Sequence, residues 1–132
     1  KEYLLNFSRS ISLLPALPPM VLGAIDEAYK AFPTALAERL QIARLIRQFR
    51  GSALGYYTVS SQTPIQVVVI PGNEKIRKIS ARAAENGFAV WPVLYPAVPE
   101  GSERLRIVLH AFNTESELSA LVSLLASTEK AV

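Results

Sequence analysis

The chain has 132 residues, half of them hydrophobic and 19% charged, which suits one ordinary domain with a real core and excludes global disorder. Its 14 basic and 11 acidic residues leave a net charge of +3, permitting an anionic partner without requiring one. The absence of cysteine excludes disulfides and thiolate metal sites and suits a reducing compartment, so a cytoplasmic protein is expected. No apolar run has bilayer-spanning length and nothing resembles a signal peptide, so no membrane partner is expected. The chain begins at Lys1 rather than methionine and is expected to be a piece of something longer.

Residues 1–19 are apolar but irregular and end in Leu14-Pro15-Ala16-Leu17-Pro18-Pro19, whose prolines predict an extended leader. Pro19 suits a first helical position, and Leu22, Ile25, Ala28, Tyr29 and Phe32 fall on one face until Pro33 stops the helix. Thr34 is expected to cap a second helix running to Arg50, with Leu36, Leu40, Ala43, Ile46 and Phe49 inward and Gly51 closing it. The two helices are expected to pack as a hairpin. Arg39, Arg44, Arg47 and Arg50 form the densest basic patch, but no aromatic interleaves with them. A solvated helix face is therefore expected, with no nucleic-acid partner.

From Gly51 the pattern changes. Gly55–Ser61 reads as a loop or weak strand, and Pro64–Pro71 as a β-branched strand bounded by prolines. Asn73 is expected to cap a helix bearing Ile76, Ile79 and Ala83, which ends at Asn86-Gly87. Phe88–Leu94 reads as an edge strand because of Pro92, and Leu105–Ala111 as a third strand. Thr114 and Glu117 have capping-box spacing for a last helix with Leu118, Leu121, Val122 and Leu125 on its apolar side. The expected fold is α+β, with a helical pair followed by β-α-β-β-α and a small, mainly antiparallel sheet.

Chemical candidates are few. His110 is the single histidine, which excludes a His-based triad or a His-rich metal site within this chain. Alternation on the third strand puts Arg104, Arg106 and His110 on one face and Leu105, Ile107 and Leu109 on the other. A guanidinium on a strand is a rigid fork that matches a carboxylate with two parallel hydrogen bonds. The competing reading is that both arginines pair with Glu100, Glu103 or solvent, and the pattern does not choose between them. Lys30, Lys75, Lys78 and Lys130 sit on predicted helix faces or tails, where a lysine keeps its charge. Gly72 alone makes no phosphate loop. The residues by themselves present no means of making or breaking a bond.

Asn6-Phe7-Ser8-Arg9-Ser10, Ala16-Leu17-Pro18-Pro19, Arg50, Pro64-Ile65, Asn73-Glu74, Gly87–Val90, Pro96 through Ile107 and Asn113-Thr114 resemble, in order and spacing, the α-oxoamine synthases. The core of the match is Val98-Pro99-Glu100-Gly101-Ser102-Glu103-Arg104-Leu105-Arg106-Ile107. These are pyridoxal-phosphate enzymes of the fold-type-I aminotransferase superfamily, and the likeness covers only their C-terminal small domain, a two-layer α+β unit. It implies that 1–19 is a leader or interdomain segment and 20–132 the small domain, with the large cofactor-binding domain absent. It also implies a decarboxylative condensation of an amino acid with an acyl thioester. Leu109–Thr114 looks most like the biotin-biosynthesis branch, whose substrates are L-alanine and a pimeloyl thioester. In the family the second arginine of Arg-Leu-Arg grips a substrate carboxylate, a role that falls on Arg106. The Schiff-base lysine lies in the large domain. No catalytic, cofactor-binding or metal-binding residue is therefore expected in this chain, and the chain alone is expected to be inactive. The family is homodimeric, with a Ser-Thr pair before Ala-Leu-Pro-Pro whose threonine reaches the cofactor phosphate of the neighbouring subunit. Here Leu14 and Pro15 hold those positions and neither side chain can donate a hydrogen bond. The alternative reading is a non-catalytic amino-acid-binding regulatory module.

Overall fold

A computed structural model describes residues 2–8 and 17–129, so Leu14 and Pro15 of the leader, and Lys130, lie outside the described residues. The chain forms two compact units, Lys1–Leu36 and Ala37–Val132. In the first, α1 (Glu2–Phe7) is helical, which corrects the expectation of an extended leader there. The helix-breaking prolines come only later in the sequence, so nothing in 2–7 opposes a helical turn. Helix α2 (Pro19–Ala31) begins on its proline as expected and passes into a 3-10 turn, Phe32–Thr34. It buries none of its residues, and Met20 is 81% exposed. The periodicity thus located the helix, but its apolar stripe is not a core face. Thr34 does not cap the next helix, because its hydroxyl donates to the Ala31 carbonyl at 2.8 Å.

Helix α3 (Leu36–Arg50) buries Ile46 and Phe49 as expected, but not the two leucines of its first turns. Leu45, Ile46 and Phe49 are buried, while Leu36 and Leu40 are 60% and 52% exposed. The core takes the later turns of the helix, where Leu45 joins Ile46 and Phe49 and Ile42 packs against them.

The second unit carries a four-stranded sheet of β1 (Thr58–Val59), β2 (Ile65–Val69), β3 (Trp91–Val93) and β4 (Arg104–Val108). Their order is β1-β2-β4-β3 and every pairing is antiparallel. Helix α4 (Asn73–Glu85) joins β2 to β3, and α5 (Glu115–Glu129) comes after β4. This is the expected β-α-β-β-α order, with the weak segment at 58–59 added as an edge strand. Leu45 and Phe49 of α3, Ile76 and Ile79 of α4, and Leu118, Leu121 and Leu125 of α5 meet Val68, Leu105 and Ile107 in one core. Each such side chain contributes about 1.5–3 kcal/mol relative to exposure. The result is a two-layer unit, helices on one face of the sheet.

Local chemistry sets the helix ends. Gly72 enters α4 at a φ of 97°, and Asn73 is the first helical residue rather than its cap. The Asn73 amide instead grips the backbone of Tyr95, donating to its carbonyl at 3.2 Å and accepting from its N–H at 3.0 Å. At the other end Gly87, φ 83°, donates to the Ala84 carbonyl at 3.0 Å while Phe88 N–H reaches Ala83 at 2.9 Å, the left-handed closure predicted from Asn86-Gly87. The capping box also forms. Thr114 N–H donates to Glu117 Oε2 at 2.8 Å, and Glu117 N–H donates to Thr114 Oγ1 at 3.2 Å.

Candidate carboxylate-binding site

Strand β4 is central, and its alternation sorts its residues cleanly. Leu105 and Ile107 are buried against the helices, whereas Arg104, Arg106 and Val108 stand on the opposite face. Cross-strand register builds that face in rows. Val67, Arg106 and Trp91 share one, and Val69, Arg104 and Val93 share the next. Arg106 therefore rises from a floor of β-branched side chains with Trp91 beside it.

The Pro-Gly turn before β4 fixes where the strand starts. Ser102 N–H donates to the Pro99 carbonyl at 3.0 Å, and Gly101 lies between them at φ 79°, a conformation open to glycine and strained for other residues. The Ile70 N–H then bonds the Glu103 carbonyl at 2.8 Å, continuing the ladder toward β2.

The two arginines part company here. Arg104 is half-buried, and its Nε donates to the Ser102 carbonyl at 2.9 Å, folding the side chain back over the turn. Arg106 is exposed and has neither an ion-pair nor a hydrogen-bond partner among the described residues. Glu103 pairs with neither arginine. It is 2% exposed, and its Oε2 accepts from Gly72 N–H at 3.1 Å. That bond, together with the neighbouring backbone amides of Glu103 itself and Gly101, holds its carboxyl below the usual carboxylate value against the opposing effect of burial. The reading in which the arginines neutralise Glu100 or Glu103 is thus not what the side chains do. Neither guanidinium has an acidic partner among the described residues, but Arg104 is folded onto its own turn while Arg106 stands free of hydrogen bonds.

His110 lies just past the end of β4, exposed and stacked on Phe112 with ring centroids 4.8 Å apart. The His110 backbone N–H donates to Asn113 Oδ1 at 2.8 Å. No group of acidic or histidine side chains among the described residues could hold a metal ion. Nor do the described lysines fit a covalent cofactor anchor. Lys30 is exposed between Asp26 and Glu27, at 2.7 and 2.9 Å, and these partners raise its pKa. Lys75 is half-buried on α4 with its Nζ 5.8 Å from the ring centre of Tyr56, and Lys78 is exposed. Sequence reasoning did not single out Trp91, and it gave Glu103 an arginine partner where the fold gives it the Gly72 amide; both placements depend on residues distant along the chain.

No protein-family profile matches the chain. It is 35% identical to the 8-amino-7-oxononanoate synthase of Saccharophagus degradans, over 99% of this chain and 34% of that protein. Its identity to the synthase of the same name from Marinobacter nauticus is 33%, over 96% of this chain and 33% of the relative. Among solved structures, the 8-amino-7-oxononanoate synthase of Francisella tularensis superposes with a TM-score of 0.82 at 25% identity, covering 98% of this chain and 38% of that one. The serine palmitoyltransferase of S. paucimobilis, solved with a bound PLP–myriocin aldimine, superposes with a TM-score of 0.86 at 20% identity, covering 98% and 34%, a likeness of fold. The chain spans about a third of the length of the curated relatives it matches.

Proposed function

We propose that this chain, which has the sequence and fold of the C-terminal domain of an α-oxoamine synthase, supplies the carboxylate grip of such an enzyme through Arg106. The reaction proposed is that of the biotin-pathway branch, a decarboxylative condensation of L-alanine with a pimeloyl thioester. Pyridoxal phosphate, when bound in the full-length enzyme, supplies an electron sink for the carbon that loses its carboxylate. The task of this chain is to orient and neutralise. A guanidinium fixed on a central strand holds a carboxylate in two hydrogen bonds, and the surrounding valines keep water from competing for them.

One observation carries the reading: Arg106 stands exposed and unpaired on the open face of the sheet, while Arg104 beside it is tied to its own turn. Residues 1–19 are proposed as the segment leading out of a large domain and contributing to a homodimer interface, and 20–132 as the small domain, in a cytoplasmic enzyme. The isolated chain is inactive in this reading. Among the described residues no helix is long and apolar enough to cross a membrane. No observation favours the regulatory-module alternative.

The test joins the chain, in trans or by fusion, to the remaining two thirds of a matched synthase and follows coenzyme A release from pimeloyl-coenzyme A with L-alanine. Activity should require both parts. Arg106→Ala should lower kcat/KM for the amino acid by an amount equivalent to about 1.5–3 kcal/mol, the value of a hydrogen bond to a charged group. Unchanged kinetics would remove Arg106 from the site.

A further inference from the structure

Helix α4 carries charge on the helix side of the sheet, away from Arg106. Lys75, Lys78 and Arg82 follow one another at spacings of three and four residues, so they form one stripe, neighbours lying about 5–6 Å apart at Cβ. The stripe is a wall of a hollow of about 630 Å³, which Ile79 and the buried Thr128 of α5 also line. Glu74 is the one acidic residue in that lining.

None of the three cations has an acidic partner among the described residues, where both ion pairs belong to Lys30. For Lys78 and Arg82, both exposed, that is ordinary solvation. Lys75 differs. It is half-buried, and the face of the Tyr56 ring, 5.8 Å from its Nζ, is the partner the fold gives it. The ring is itself tethered. Thr128 Oγ1 donates to the Leu125 carbonyl at 2.7 Å, which leaves the Tyr56 hydroxyl as donor in its 3.4 Å contact with Thr128. The ammonium is thus held partly out of water without a counter-charge, a cost that a ring face recovers only in part. An anion entering the hollow recovers more, and Lys78 and Arg82 continue the charge along the same wall.

The spread of these charges selects the ligand. One carboxylate is matched by one guanidinium fork, whereas three cations over two turns of helix suit a group with more oxygens and more than one negative charge. Phosphate accepts a fork from arginine and a point charge from lysine, and the stripe offers both. Gly72 and Asn73 bring the positive end of the α4 dipole to the same hollow.

We infer that this hollow binds a small phosphorylated metabolite carrying at least two negative charges, in a second site that does not depend on the role given to Arg106.

Inorganic pyrophosphate is the probe, titrated calorimetrically against the chain at low ionic strength. One equivalent should bind, and Lys78→Ala and Arg82→Ala, at exposed positions, should each weaken it about ten-fold. Lys75→Met keeps an apolar stem beside Tyr56 and drops the charge, and should lose at least as much. Arg77→Ala removes an exposed cation of the same helix that does not line the hollow, and should change affinity by less than about two-fold. Pyrophosphate should also raise the unfolding midpoint of the wild type and not that of the variant lacking both Lys78 and Arg82, provided both fold. Absence of saturable binding would overturn the proposal. So would an equal loss in Arg77→Ala and Lys78→Ala, which would assign the effect to the overall charge of the helix. A single-stranded oligonucleotide that outcompetes pyrophosphate would overturn it too, by making the stripe an open track for a long polyanion.

Discussion

The buried carboxylate of Glu103 accepts a hydrogen bond from the amide of Gly72 across 31 residues of sequence. Because the Glu103 carbonyl also binds Ile70 N–H, the residue pins the entry of β4 to the β2–α4 loop immediately before Arg104-Leu105-Arg106. Its lowered pKa makes that link pH-dependent. A group more acidic when folded than when unfolded stabilises the fold above the ordinary carboxylate value of about 4.3 and loses that contribution as pH falls through its lowered folded value. Glu103→Gln keeps an acceptor but does not titrate, so its unfolding midpoint should fall less steeply than the wild type's below about pH 4.3. Some acid sensitivity should remain in the variant, because Glu117 is lowered too, chiefly by the Thr114 amide. Urea midpoints across a pH series measure this, and parallel curves would refute it.

Thr114→Ala removes the side chain that receives the Glu117 amide at the start of α5. The expected cost is about 1 kcal/mol, read as a lower denaturant midpoint at unchanged slope. Thr114→Ser should recover most of it, since the hydroxyl rather than the methyl makes the cap.

Asn73→Ala should cost about 1–2 kcal/mol, because both bonds between its amide and the Tyr95 backbone are lost together. Asn73→Asp keeps the acceptor and places a negative charge at the α4 N-terminus, where the helix dipole favours it, so it should cost less than the alanine variant. Equal losses in the two would mean that the amide pair is not what holds the 95–96 segment to α4.

Arg104 and Arg106 should separate stability from binding. Arg104→Ala forfeits the bond to the Ser102 carbonyl and should cost about 1 kcal/mol of stability, with little change in carboxylate affinity. Arg106→Ala, at an exposed position, should change stability by no more than about 0.5 kcal/mol while lowering kcat/KM for the amino acid in the rejoined enzyme. Thermal melts and steady-state kinetics of the two variants give the comparison. The reverse pattern would exchange their roles.

The residues themselves determined what depends on neighbours a few positions away. The β-branched run at 65–69, the helical period of Ile76, Ile79 and Ala83, the Thr114–Glu117 box and the Asn86-Gly87 stop are satisfied within one turn or one strand, so local sequence names them. Pro92 marked an edge because a proline cannot donate to a ladder. The family likeness rests on the order of residues in the motif, and it is that likeness, not the alternation along the strand, that points to Arg106 rather than Arg104.

Tertiary structure decided the rest. On helix α3 the expected face was buried at Ile46 and Phe49 but not at Leu36 and Leu40, and Leu45 joined the core, because the core packs against the later turns of the helix. Asn73, which has the chemistry of a cap, was drawn to the Tyr95 backbone, and Glu103 to the Gly72 amide, partners that only folding brings within reach. Trp91 became the neighbour of Arg106 through strand register alone. Register is fixed by which faces can be buried together, a long-range free energy that no short stretch of sequence contains.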